Sequence, residues 1–324
     1  MWFVDAGDES AERIDTGIDP RRLLIFREVA ARGSLSSAAA ALGWTQPAVG
    51  QHLRRLERDI GMPLVRRTAR GIRLTEAGTA LLEHADSIAA RLSVASEHMR
   101  ALRTLRTGRL RLAAFPSACA TMVPHVLSRL GSAAPDLDVS LVELEPPEAI
   151  TAVLAGEVDL ALVFHYPGQR AAGEHRDLTA VALLDDPVRA VVAADHPLAA
   201  DTGSVTGLDL AALANERWVT GCPRCRAYLA ALASAAGFRP DTRHSTEDYV
   251  VVQKLVAANL AVALLPGLAL AAAPDDRVRA LPVAGGPLRH ISLVHHREAA
   301  ATPGVRAGVS ALLDRARHPP SPIR

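Results

Sequence analysis

The chain has 324 residues, room for two or three domains, and 49 % apolar residues, enough for buried cores. Its 36 basic and 35 acidic residues nearly cancel, so no strong overall charge marks it as a polyanion binder. No uncharged apolar run reaches the roughly 18 residues of a membrane span, and three cysteines make no disulfide framework. The first residues, MWFVDAGDESAERIDTG, are acidic where a secretory leader is basic and apolar, so a cytoplasmic protein is expected. Residues 1–18 read as a loose acidic extension.

The next stretch is patterned. Leu23, Phe26 and Val29, with Leu24 and Ala30 adjoining, make one apolar stripe of a helix that Gly33 ends. Ser34 and Ser36 are placed to cap a second, short helix that buries Ala38, Ala39 and Leu42. Gly43 makes the turn. Thr45 is the expected N-cap of a third helix, with Pro47 in its first turn, where a missing N–H costs nothing. Val49, Leu53, Leu56 and Ile60 face its core. Gln46, Gly50, Gln51, Arg54 and Arg55 are left facing outward or sideways, and an Arg-rich hairpin follows. Between Asp19 and Thr75 stand eleven arginines against four acids, so a basic head sits on a near-neutral chain. That is an electrostatic footprint for phosphate.

These residues resemble the winged-helix head of LysR-type transcriptional regulators. The resemblance is carried by Phe26, Ala38-Ala39, Leu42, Gln46-Pro47-Ala48-Val49, Arg55-Leu56-Glu57, Gly61, Pro63-Leu64, Arg67 and Leu74-Thr75-Glu76-Ala77-Gly78, matched without a gap. Gly50 and Val65 depart from the usual serine and phenylalanine. The resemblance implies a winged helix-turn-helix DNA-binding domain over 19–77, with Gln46, Pro47 and Gln51 at base edges and Arg54, Arg67 and Arg70 on phosphates. Ser34, Ser36, Thr45 and Gly50 complete the expected DNA-binding set.

From Glu76 to about Arg106 no proline interrupts the pattern. Leu81, Ala85, Ile88, Leu92, Ala95, Met99 and Leu102 step alternately by four and three, the narrow seam of a coiled coil. A linker helix over 78–106 that pairs two chains is expected. After Gly108 strands alternate with helices in two runs, which predicts two α/β lobes. Strands are expected at 110–115, 139–142, 159–164, 188–193, 217–220 and 260–265. Lobe I is read as 109–185 with 298–318, lobe II as 186–297, and 319–324 as a tail.

This half more loosely resembles the effector domain of the same family, through Gly108-Arg109-Leu110, Pro124, Gly156, Asp159-Leu160-Ala161, His196-Pro197-Leu198 and Leu264-Leu265-Pro266. The fold class expected is therefore α/β: an all-α winged head, a long linker helix and a two-lobed, periplasmic-binding-protein-like effector domain. Ligands of such folds sit at carboxyl ends of strands, facing helix N-termini. That places an effector against Ser117, Ala118, Cys119, Phe164, His165, Thr220, Gly221, Cys222, Arg226 and Thr246. Ser117 is read as a helix cap, and Arg224 and Arg226 suggest a carboxylate-bearing ligand.

The function expected is a DNA-binding regulator gated by a small molecule, without a cofactor. Its partners are double-stranded promoter DNA, further copies of itself as dimer and tetramer, the effector and RNA polymerase. One alternative keeps this architecture but senses oxidants or soft metals through Cys222 and Cys225, with Cys119 as a third thiol and the flanking arginines favouring thiolate. An enzyme would need Cys222 or Ser117 as nucleophile with His165 or His125, yet no G-x-S-x-G, Walker or H-E-x-x-H motif is present. A solute-binding protein would leave the head unexplained.

Overall fold

The structure, a computed structural model, describes residues 17–68, 71–104, 108–169, 171, 173, 175–200 and 207–317. Arg70, the tail 319–324 and nearly all of the acidic extension lie outside the described residues, as does the side chain of Arg67. The chain divides into two compact units, Met1–Ala89 and Ala90–Arg324.

The first unit opens with α1 (Pro20–Arg32), capped by Asp19, whose carboxylate accepts from the backbone N–H of Arg21 and Arg22. Ser34 accepts from Ser37 N–H to cap α2 (Leu35–Leu42), and α3 (Gln46–Ile60) starts after Thr45 with Pro47 in its first turn. Ser36 thus lies inside α2 rather than capping it. The three helices bury Leu23, Phe26, Val29, Ala38, Ala39, Val49, Leu53 and Leu56. Ile25, not Leu24 or Ala30, completes the buried stripe of α1.

The wing is an antiparallel pair, β1 (Val65–Thr68) and β2 (Gly71–Leu74). Ile72 N–H donates to Gly33 O at 2.8 Å. Gly71, at φ 122°, sits so close to that carbonyl that a Cβ would lie 2.6 Å from it. A single helix, α4 (Glu76–Thr104), follows. Its first turns belong to the head: Leu81, Leu82 and Ala85 pack on the head core, and Asp86 pairs with Arg27 at 2.8 Å. The compact unit consequently runs on to Ala89, past the winged head expected over 19–77, and the later part of the expected seam is exposed at Ile88 (37 %), Leu92 (49 %) and Met99 (59 %).

The second unit continues with β3 (Arg109–Ala114), α5 (Pro116–Thr121), α6 (Val123–Ala133), β4 (Asp138–Glu143), α7 (Pro146–Leu154) and β5 (Leu160–His165). A 16-residue strand, β6 (Leu178–Ala193), then leads to β7 (Arg217–Thr220), α8 (Pro223–Ala235), β8 (Asp241–Ser245), α9 (Tyr249–Ala257), β9 (Ala263–Pro266), α10 (Gly267–Ala272) and β10 (Val278–Pro282). The chain returns through β11 (Leu288–His296) and ends in α11 (Pro303–Arg317). The main sheet has the order β10-β6-β11-β5-β3-β4, with β9 also on β6 and a separate parallel pair β7-β8. Strands β3, β4 and β5 run parallel.

Strands β6 and β11 join the lobes. The first half of β6 pairs with β11, and its second half pairs with β9 and β10 in lobe II. Residues 290–294 of β11 pair with β5, so the return to lobe I begins near 288 and not at the expected 298. The expected strand at 188–193 is only the end of β6.

Candidate functional site

On the head, Gln46, Pro47, Gln51, Arg54, Arg55 and Arg58 are exposed along α3, at helical spacings that share one side. Thr45 and Ser36 are also exposed, and Ser36 Oγ donates to Gln46 Oε1 at 3.1 Å, holding that amide at the start of the helix. Ser34 is half-buried by its capping duty. Gly50 corrects the outward reading: it is buried, and a Cβ there would stand 3.8 Å from Leu35 Cδ1. A small residue here lets α2 and α3 cross closely.

Charge sorts the arginines further. Arg22 pairs with Asp19 and Asp59, Arg27 with Asp86 and Arg32 with Glu28. Arg54, Arg55 and Arg58 of α3 and Arg66 and Arg73 of the wing are exposed, and among the described residues none of them is in an ion pair. The unneutralised charge therefore sits on α3 and the wing, where phosphates need it.

In the second unit a cavity of ≈ 570 Å³, its mouth included, opens between the lobes. Lobe I supplies Phe115, Pro116, Ser117, Glu145 and Phe164; lobe II supplies Val219, Gly221, Cys222, Cys225, Thr246, Glu247 and Tyr249, with Arg289 between them. Arg289 and Asp186 are register partners on β11 and β6, and are 3 % and 2 % exposed. Arg289 Nε donates to Asp186 Oδ2 at 2.9 Å and its NH2 group to Ser117 Oγ at 2.8 Å. The guanidinium lies over the rings of Phe115 and Phe164, 4.8 and 4.7 Å from their centroids. Asp186 also accepts from Leu268 N–H at 3.1 Å. One buried ion pair thus ties Ser117 of lobe I to α10 of lobe II.

Of the ten residues expected at the effector, Ser117, Phe164, Gly221, Cys222 and Thr246 line the cavity. Ala118, Cys119, His165, Thr220 and Arg226 do not. Ala118 is core, and Cys119 donates to Ala114 O at 3.2 Å. The His165 ring lies 5.0 Å from that of His290. Thr220 is buried, and its hydroxyl donates to Gly221 O at 3.5 Å. Arg226 donates to Ser245 Oγ and Arg224 to Gln169 Oε1, and neither arginine lines the cavity. Ser117 does not cap α5, whose N-cap is Phe115; its hydroxyl is held by Arg289. Neither His165 nor His125 is among the residues that line the cavity with Ser117 and Cys222. Among the described residues no group of three or more His, Cys, Asp or Glu is placed to hold a metal.

Arg289 and Glu145 were missed from sequence. Arg289 lies on an unrecognised strand, and Glu145 ends a loop before Pro146. Glu145 Oε2 is buried without a partner, and burial first, then the nearby Cys225 and Glu247, pushes its carboxyl up to about 7. The folded state therefore holds this proton where the unfolded chain, near 4.5, has lost it. Its contribution to stability is full below about pH 4.5 and is lost as pH rises through about 7. We expect Glu145→Gln to be more stable than wild type at pH 8, by about 1–2 kcal/mol after allowance for partial exposure, and equal to it near pH 4.5. Calorimetry at the two pH values checks this; parallel melting temperatures at both would refute it.

Residues 103–317 match the LysR substrate binding domain, and residues 20–79 match the bacterial regulatory helix-turn-helix protein, lysR family. The chain belongs to the LysR family. It is 29 % identical over 290 residues to the regulator IlvR of Caulobacter vibrioides, covering 88 % of this chain and 94 % of that protein. It is 35 % identical over 149 residues to ClcR of Pseudomonas putida, covering 46 % of this chain and only 51 % of ClcR, about half that relative's length. It is 26 % identical over 246 residues to the dual regulator OxyR of Escherichia coli, 75 % of this chain and 76 % of that one. Among solved structures it shares the fold of full-length OxyR from Pseudomonas aeruginosa (TM-score 0.62, 20 % identity, covering 93 % and 95 % of the chains). The fold is also that of full-length CbnR complexed with its target DNA (TM-score 0.54, 24 % identity, 92 % and 100 %). This LysR-type chain is a DNA-binding transcriptional regulator with an effector-binding domain, and not an enzyme. No described helix is long and apolar enough to cross a membrane.

Proposed function

We propose that this LysR-family chain reads promoter DNA with α3 in the major groove and the wing on the adjacent backbone, and that a small molecule in the inter-lobe cavity controls the outcome. The observation that carries the DNA assignment is the set of exposed arginines on α3 and the wing that are in no ion pair among the described residues, beside the exposed amides of Gln46 and Gln51. An amide reads a base edge in two-point contact, whereas an arginine on a phosphate carries no sequence information. Gln46→Ala should therefore relax specificity, costing on the order of 1–3 kcal/mol on the preferred site and little on others. Arg54→Ala should weaken all sequences alike and flatten the salt slope by about one. Fluorescence anisotropy over a salt series on the DNA upstream of the gene separates the two. Unchanged affinity in both variants would show that α3 is not the reading helix.

Pairing follows from α4. Ile88, Leu92 and Met99 are large apolar side chains left exposed on one helix at seam spacing, which suits a second copy of the same helix. Two heads then read an inverted repeat, and effector domains join dimers into a tetramer. Ile88→Glu with Leu92→Glu should give smaller species in sedimentation while the melting of each unit is kept. A wild-type monomer at working concentration would remove this reading.

For control, the cavity is lined by residues of both lobes and by Arg289, whose guanidinium is paired with Asp186. A ligand there shifts the lobes only by its differential affinity for two arrangements. The lining combines apolar side chains such as Phe115, Phe164 and Val219 with carboxyl, thiol, hydroxyl and guanidinium groups, suited to a small organic effector.

A further inference from the structure

Two thiols line the cleft side by side. Cys222 and Cys225 are one helical turn apart at the start of α8, and their sulfurs lie 2.8 Å from each other. Their surroundings are unequal. Cys225 Sγ receives the Tyr166 hydroxyl at 3.5 Å, from just beyond β5 in lobe I, and feels the charge of Arg289. Cys222 is 4 % exposed; its sulfur accepts from Cys225 N–H at 3.4 Å, and it lines the cavity together with Glu145. Hydrogen bonding from Cys222, then from Tyr166, lowers the Cys225 thiol below its ordinary value, while the shared proton and burial raise Cys222. The thiolate is the nucleophile, so the pair is polarised toward Cys225. The flanking Arg224 and Arg226, turned to Gln169 and Ser245, take no part.

We propose that Cys222 and Cys225 form an oxidisable dithiol lining the effector cleft, with Cys225 as the attacking thiolate, Cys222 as the resolving thiol, Glu145 as the proton acceptor and a hydroperoxide as the oxidant. This rests on the cleft being the control site. In the first step the Cys225 thiolate attacks the terminal peroxide oxygen. The S–O bond forms, the O–O bond breaks, Cys225 becomes a sulfenic acid, and the alkoxide or hydroxide leaves and takes a proton from water. In the second, Cys222 gives its proton to Glu145 and attacks the Cys225 sulfur. The S–S bond forms, the S–O bond breaks, and the departing hydroxide collects the proton from Glu145 as water. The hydroperoxide is reduced by two electrons and the dithiol is oxidised by two. A disulfide sulfur is a weak acceptor, so oxidation weakens the Tyr166 hydroxyl bond, one of the contacts between lobe I and lobe II. That is a local chemical change acting on a two-state element.

Cys119 is the internal reference. Its thiol donates to Ala114 O, and burial, then Glu143, pushes it up to about 11. The full-length protein, reduced and then treated with hydrogen peroxide, should keep Cys119 free and lose Cys222 and Cys225 to a disulfide that a dithiol reductant reverses. Cys222→Ser should stop at a sulfenic acid on Cys225, trapped by dimedone, and Cys225→Ser should leave Cys222 unlabelled. Glu145→Gln should slow closure of the disulfide at least about tenfold without slowing formation of the trapped species. Promoter affinity should differ between reduced and oxidised wild type by at least about fivefold.

Should the serine variants misfold, alkylation of the wild type with peptide mapping still decides, because Cys225 must react at lower pH than Cys119. Peroxide that leaves all three thiols free, dimedone on Cys222 in place of Cys225, or a disulfide without change in promoter affinity would each overturn the proposal. In the last case reduced protein still bound to the promoter leaves the regulator reading standing. Reduced protein that binds no promoter DNA would sink that reading instead, and the thiol readouts would still decide the dithiol.

Discussion

Arg289→Ala is expected to destabilise the effector domain by about 3–5 kcal/mol, on the order of 10 °C in melting temperature. The reason is the charge left behind. Asp186 is 2 % exposed and would lose its ionic partner while still holding Leu268 N–H. Phe115 and Phe164 would lose the guanidinium stacked on them, and Ser117 its donor. Removing both charges together, as Asp186→Ala with Arg289→Ala, should cost clearly less than the sum of the single changes, because no lone buried charge remains. Thermal melts of the four proteins complete the cycle. Additive losses would mean that the pair contributes packing alone. The same junction joins the lobes, so the single variants should also blunt any response to an effector.

Gly78→Ala is expected to unfold the head while sparing the effector domain. A Cβ at this position would stand 2.0 Å from Leu64 O, a distance no real contact tolerates. Leu64 cannot give way. It is fully buried, its N–H donates to Glu57 Oε1 at 2.9 Å, and its carbonyl accepts from Thr75 N–H at 3.0 Å. Alanine's better helix propensity returns only about 1 kcal/mol, against an overlap with fixed backbone that we place above about 4 kcal/mol. A small domain has little more than that to lose. Hydrogen exchange should show lost protection in α1 to α3 and unchanged protection in β3 to β6, together with lost DNA binding. Native protection of the head in this variant would contradict the geometry.

The head was legible because each of its signals is local. Stripes at helical spacing, the Ser34 cap, Pro47 in a first turn and the Leu74-Thr75-Glu76-Ala77-Gly78 run all act within a few residues, and their physical reasons appear as hydrogen bonds and close approaches. Gly50 misled because an absent side chain says nothing about which way its position faces. The seam in α4 was legible as a pattern but not in its extent, since Leu81 and Ala85 satisfy a heptad and the head core equally well.

The effector half was harder where strands cross between lobes. In β6 the run Asp185-Asp186-Pro187 reads as a turn, and in β11 Arg289 and His290 interrupt the apolar alternation. Those polar residues are present because the crossing strands meet at the cleft, where Asp186 and Arg289 satisfy one another 103 residues apart in sequence. Strand β8 is exposed along its length and carries no apolar signal at all. The cleft was therefore found from its loop residues, such as Ser117 and Cys222, while its central arginine stayed hidden. Arg224 and Arg226 were drawn in by adjacency, although the first turn of α8 directs them elsewhere.

The most direct test of the account is a hydroxyl-radical footprint of the full-length protein on the DNA upstream of its own gene, beside the Gln46→Ala variant. Wild type should protect an inverted repeat whose half-sites present their major grooves to the same side, about one helical turn apart or a multiple of it. Gln46→Ala should keep the backbone protection at raised concentration and lose the preference for that repeat over scrambled sequence. Protection that is absent, or equally strong on scrambled DNA for both proteins, would contradict the claim that α3 reads the promoter.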